Sequence, residues 1–137
     1  MPFVSLQTNL PADSLPEDLV RRLSSSAAAA LGKPEAVSFV PTVTGRSRSG
    51  QDPVRRMNVV VMPGLPMLIA GSCSPCAMLS VSAIGVTDTA EKNKAHSAKM
   101  FEFLTKELGL TEDRIVIQFH ELQPHQVGKK GTVMSFL

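Results

Sequence analysis

Two stretches of the chain repeat one order of signals, strand then helix then strand, and this duplication constrains the fold more than any other feature. In the first copy, residues 2–8 alternate as a strand does, and Pro11, Asp13 and Pro16 mark a turn. Ser14-Leu15-Pro16-Glu17 has the pattern of a capping box, which predicts a helix beginning at Ser14. Leu15, Leu19, Leu23, Ala27, Ala30 and Leu31 recur at three-to-four spacing and give it one apolar stripe. Gly32 and Pro34 stop it, so the helix runs to about Leu31. Arg56 to Met62 reads as the second strand.

The second copy follows the same order. Ala77 to Val86 is strand-like, and Asp88-Thr89-Ala90-Glu91 supplies a helix cap with a carboxylate in the first turn. Ala98, Phe101, Leu104 and Leu108 form the predicted buried stripe, closed by Gly109, and Arg114 to His120 alternates as a strand. The helix-ending glycines Gly32 and Gly109 are 77 residues apart, whereas Arg56 and Arg114 are only 58 apart. The first copy therefore carries 19 extra residues, expected as a loop insertion at about 37–55, where Thr44-Gly45-Arg46-Ser47-Arg48-Ser49-Gly50 has the composition of a loop. Its role stays open between an inert excursion, a lid carrying Arg46, Arg48 and Arg55, and a splice or gene-model variant.

Two such units with right-handed crossovers predict one α+β domain over 1–137, with a four-stranded sheet and both helices on one face. Alternation is read as placing Val59, Val61, Val81 and Ile117 on the uncovered face, which would expose a large apolar patch. Oligomerisation through the sheets would cover it, and Met67 to Ala70 and Thr132 to Leu137 are candidate edge strands for pairing with neighbouring subunits.

Fourteen Lys and Arg against twelve Asp and Glu leave a net charge of +2, too little to argue for a nucleic-acid surface. No apolar run reaches the roughly 18 to 20 residues that span a bilayer, since Pro63, Gly64, Pro66 and Gly71 interrupt the most hydrophobic stretch. The first residues carry no secretory leader, so a cytoplasmic protein is expected. Cys73 and Cys76 lead into a strand, where no helix macrodipole stabilises a thiolate, and read as two reduced structural thiols. His96, His120 and His125 share no ligand spacing, and neither a metal nor a cofactor is expected. The seven methionines read as core filler.

No Gly-rich phosphate loop, metalloprotease helix or nucleophile elbow is present. What remains is the N-terminus. Removal of Met1 before the small residue Pro2 would leave a secondary amine, and such an amine has a reference pKa of about 7.7 to 8.0 that burial or a neighbouring cation lowers further. Pro2 is thus a candidate general base, and Lys33 a candidate anchor for a substrate carboxylate. Both residues also have ordinary readings, a common second residue and a lysine serving a helix end.

Met1-Pro2-Phe3-Val4, Leu31-Gly32-Lys33-Pro34, Pro63-Gly64-Leu65, Pro75-Cys76-Ala77, Ser82-Ala83-Ile84-Gly85, Phe101 to Leu108 and Gly128 to Met134 occur in the order and spacing of a known family. On these motifs the chain resembles the macrophage migration inhibitory factor family, specifically its D-dopachrome-handling branch, over nearly everything but 37–55. The resemblance implies a homotrimer of the tautomerase fold. It implies that mature Pro2 is the base, that Lys33 binds the substrate carboxylate, and that the backbone around Ile84 lines the pocket. The implied reaction converts D-dopachrome to 5,6-dihydroxyindole and carbon dioxide. Arg56 aligns with a basic residue near the pocket mouth, and Gln118 stands where the branch tends to carry Arg. Val116 replaces a pocket tyrosine of the migration inhibitory factors, and Leu79 replaces the second cysteine of their Cys-x-x-Cys, so that redox motif does not carry over. The alternative implied function is a cytokine that binds the invariant-chain receptor after unconventional secretion, with little or no catalysis.

Overall fold

The structure, a computed structural model, describes residues 2–32 and 53–137. The expected insertion lies outside these residues as far as 52, and Pro53–Arg56 form one 3-10 turn.

Among the described residues six strands and two α-helices follow the duplicated order. The strands are β1 (Phe3–Thr8), β2 (Asn58–Met62), β3 (Ala77–Ala83), β4 (Ile115–Glu121), β5 (Gly128–Lys129) and β6 (Thr132–Val133). The helices are α1 (Leu19–Leu31) and α2 (Ala90–Leu108). The main sheet has the order β2-β1-β3-β4, with β1 parallel to β2, β3 parallel to β4, and the central pair antiparallel. Each strand-helix-strand unit thus supplies one parallel pair.

Helix α1 begins at Leu19, five residues after the expected Ser14. Proline crowds the residue before it out of the helical region, and Leu15, preceding Pro16, is extended at φ −97°, ψ 150°. The Ser14 hydroxyl donates instead to the Pro11 carbonyl within a 3-10 turn, Ala12–Ser14. The second helix is capped where the sequence placed the signal, with the Thr89 hydroxyl accepting from the Lys92 amide. It ends at Gly109 in the left-handed conformation, φ +69°, which favours glycine. Its buried stripe is His96, Met100, Leu104 and Leu108; Ala98 is exposed and Phe101 half-buried, so the true face is rotated from the expected one.

The core lies between the sheet and both helices, around Val4, Leu6, Leu23, Leu79, Val81, Met100 and Leu104. Register corrects the expected faces. Val4 pairs with Val59 and Val81, and Leu6 with Val61 and Leu79, so the valines expected on the uncovered face turn towards the helices, as does Ile117 beside Leu79. Alternation in a strand defines two sets of side chains but not which set meets the helices. The open face carries Phe3, Ser5 and Gln7 of β1, Val60 of β2, Met78, Ser80 and Ser82 of β3, and Val116 and Gln118 of β4. It is mixed, with a serine centre between apolar margins. Of the two candidate edge strands, Met67–Ala70 forms only the isolated bridge Ile69–Ser72, and in 132–137 only Thr132–Val133 is a strand, pairing with β5.

Residues 69–76 wrap around the Arg114 guanidinium, which donates to the carbonyls of Ile69, Ser72, Ser74 and Pro75 at 2.8–3.2 Å. Asn9 completes the clasp, its amide group donating to the Cys73 carbonyl and its oxygen accepting from the Cys76 amide. Both thiols are free, Cys73 exposed and Cys76 buried.

Candidate active site

Pro2 is half-buried and immediately precedes β1. Its carbonyl accepts from both the amide and the side-chain nitrogen of Asn58, at 3.1 and 3.2 Å, and the same side chain reaches the Arg56 carbonyl at 3.5 Å. Asn58 therefore ties together two expected site residues, Pro2 and Arg56. The sequence reading passed it over; the available signal was a lone polar residue at the head of the β2 run of valines. Arg56 itself is exposed at the end of the 3-10 turn that leads into β2.

The pairing of Phe3 with Ser82 sets Pro2 beside Ala83, so Ile84, half-buried just past β3, lies at the same end of the sheet. The turn 84–87 is anchored from two directions. From β4 the Glu121 carboxylate accepts from the Gly85 amide at 2.6 Å, the Thr87 amide at 3.2 Å and the Thr87 hydroxyl at 2.7 Å. From α2, Asn93 donates to the Thr87 carbonyl and His96 hydrogen-bonds the Val86 carbonyl, while its other ring nitrogen bonds the Ala30 carbonyl in α1. Gly85 takes φ +78°, a conformation glycine adopts without strain.

Desolvation opposes ionisation of Glu121, but the Thr87 hydroxyl and the Gly85 and Thr87 amides outweigh it and hold the carboxyl below its ordinary value. Removing the charge by Glu121→Gln should cost about 1–3 kcal/mol at neutral pH, nearer the lower figure because the group is partly solvated. A depressed carboxyl contributes stability that is complete above the unfolded glutamate value of about 4.3 and is lost as pH falls through the folded one. Chemical denaturation should therefore show a gap between wild type and variant at pH 7 that narrows as the pH falls below the ordinary glutamate range and closes once the folded carboxyl is protonated. A gap that persists there assigns the effect to packing.

Gln118 stands apart. It shares a row with Ser80 and Ser5, two strands across and three rows along from Pro2, about 14 Å at ordinary strand spacing and rise. Lys33 lies outside the described residues. A depression of about 600 Å³ between α1 and β2, lined by residues such as Arg21, Val54 and Met57, includes none of the expected site residues Pro2, Arg56, Ile84 and Gln118 among its described lining. Among the described residues no group of three His, Cys, Asp or Glu is placed to hold a metal, and no helix is long and apolar enough to cross a membrane.

The sequence is 50% identical to D-dopachrome decarboxylase from Bos taurus and 48% identical to that from Xenopus tropicalis, over 137 residues and the whole of each chain. The fold matches the structure of the macrophage migration inhibitory factor from Trichinella spiralis with a TM-score of 0.76 and 26% identity, covering 96% of this chain and 98% of that one. The family model of macrophage migration inhibitory factor matches residues 1–49 and 43–135, two stretches that meet inside the expected insertion. With its sequence matched along nearly its whole length and its duplicated strand-helix-strand fold shared, the chain belongs to the macrophage migration inhibitory factor family.

Proposed function

We propose that the protein is a D-dopachrome decarboxylase in which the nitrogen of Pro2, freed by removal of Met1, is the base. The observation that carries this reading is the full-length identity of 48–50% to D-dopachrome decarboxylases. The arrangement around Pro2 supports it. Asn58 clasps the proline carbonyl and leaves its nitrogen as the reactive end. A free secondary amine is a competent base near neutral pH.

In the proposed step the Pro2 nitrogen accepts a proton from a ring carbon of D-dopachrome, and the bond to the carboxylate breaks. One of the two electron pairs released becomes the new carbon–carbon double bond of the indole ring and the other reduces the quinone. The quinone oxygens take up two protons, one returned from Pro2 and one from solvent, to give the catechol of 5,6-dihydroxyindole as carbon dioxide leaves. Lys33 is the proposed anchor of the carboxylate, Arg56 a contributor to the positive field at the mouth, and Ile84 part of the wall. Geometry contributes as much as basicity, since a small anionic substrate must be held with one carbon against one nitrogen.

The working form is proposed to be the homotrimer. Leu68, Val60, Val116, Phe136 and Leu137 are exposed apolar side chains, which association would cover. Gln118, distant from Pro2 in its own chain, meets a Pro2 site only in another copy. The test is to follow D-dopachrome loss and product formation with protein whose intact mass shows that Met1 is gone. Stoichiometric 5,6-dihydroxyindole and carbon dioxide are expected; accumulation of a product that retains the carboxylate overturns the decarboxylase reading.

A further inference from the structure

We propose that Glu121 is a positioning residue for this site, acting through Gly85 and Thr87 to fix the Ile84 peptide as the wall facing Pro2. The inference rests on the functional reading above and adds a residue to it that carries no part of the chemistry.

The Gly85 amide and the Ile84 carbonyl belong to one planar peptide unit. Holding that amide at 2.6 Å from the Glu121 carboxylate therefore sets the direction of the Ile84 carbonyl. A second grip, on the Thr87 amide and hydroxyl, prevents the turn from pivoting about the first. The remaining carbonyls of the turn are occupied too, Gly85 by Lys92 at 3.4 Å, Val86 by His96 and Thr87 by Asn93. Lys92, Asn93 and His96 all project from the first turns of α2, so the turn is pinned between that helix and the end of β4. Such saturation exceeds what closing a β-α connection requires. It is what a preformed wall beside a small substrate needs, because hydrogen bonds to a charged acceptor are short and directional.

The grip on Pro2 is separate, coming from Asn58 on the opposite neighbour strand. Loosening the turn should therefore weaken substrate binding and leave the base in place. For Glu121→Gln, KM for D-dopachrome should rise about tenfold while kcat stays within about twofold, the signature of lost binding common to ground and transition states. Thr87→Val should raise KM in the same direction, Thr87→Ser should restore it, and the Glu121→Gln/Thr87→Val double variant should fall short of the product of the two single effects. Amide hydrogen exchange at Gly85 and Thr87 should quicken in Glu121→Gln without substrate present.

If Glu121 serves only stability, kcat per milligram falls with the folded fraction and KM does not move, and that outcome overturns the proposal. Should Glu121→Gln fail to fold, the Thr87 pair decides, and equal KM values for the Val and Ser variants overturn it. A wild-type protein lacking Met1 that turns over nothing overturns the reading of the reaction and this role with it, whereas an active wild type with an unchanged variant KM overturns this role alone.

Discussion

Protein that retains Met1 should consume D-dopachrome at least about 100-fold more slowly than protein beginning at Pro2, the range lost when a general base is removed. With Met1 attached, the Pro2 nitrogen is an amide whose lone pair is delocalised into the carbonyl, and it can neither accept a proton nor carry charge. The clasp of Asn58 is on the Pro2 carbonyl and not on its nitrogen, so it should hold in both forms and stability should be the same. Separating the forms by mass and timing the loss of dopachrome colour gives the answer. Pro2→Gly, which moves the amine onto a flexible residue, should also lose most turnover while remaining folded. Equal rates for the two forms would remove Pro2 from the chemistry.

The largest effect on stability is expected at Leu79. It is fully buried in a central strand, between Leu6 of β1 and Ile117 of β4 and beneath both helices. Leu79→Ala should cost about 3–5 kcal/mol, the transfer of the lost carbons plus the cavity they leave in a sheet that cannot collapse inwards. Urea unfolding followed by circular dichroism reads this directly. A loss below about 1 kcal/mol would mean that the site repacks around the smaller side chain. Val60→Ala supplies the contrast. Val60 is half-exposed on the open face, and in an isolated chain its truncation should fall within about 0.5 kcal/mol. A clearly larger loss would show that another copy of the chain covers that face.

The order of elements and the fold class were legible because periodicity survives in a single sequence. The Thr89 cap and the Gly109 stop are local signals, and both stand where the residues put them. The start of α1 was misread because the Ser14 pattern was weighed without the constraint that Pro16 places on Leu15. The facing of Val59, Val61, Val81 and Ile117 was misread because it depends on register between strands more than 15 residues apart, which alternation within one strand does not contain. Of the expected site residues, Pro2, Ile84 and Arg56 were chosen as residue types at family spacing, and the structure places these three at one end of the sheet. Asn58 and Glu121 were not, because each works on another residue's backbone and neither carries a pattern of its own.

Duplication gives the domain two equivalent strand starts, Pro2 before β1 and Cys76 before β3, at opposite ends of an antiparallel central pair. The clasp around Arg114 makes them unlike. At Cys76 the amide is bonded to Asn9, the carbonyl to Thr8, and the thiol is sealed beneath the wrapped loop. One end of the repeat is thus closed as scaffold around its strand-opening arginine, whereas at the other end the equivalent arginine, Arg56, stands exposed and the corner beside Pro2 is left open.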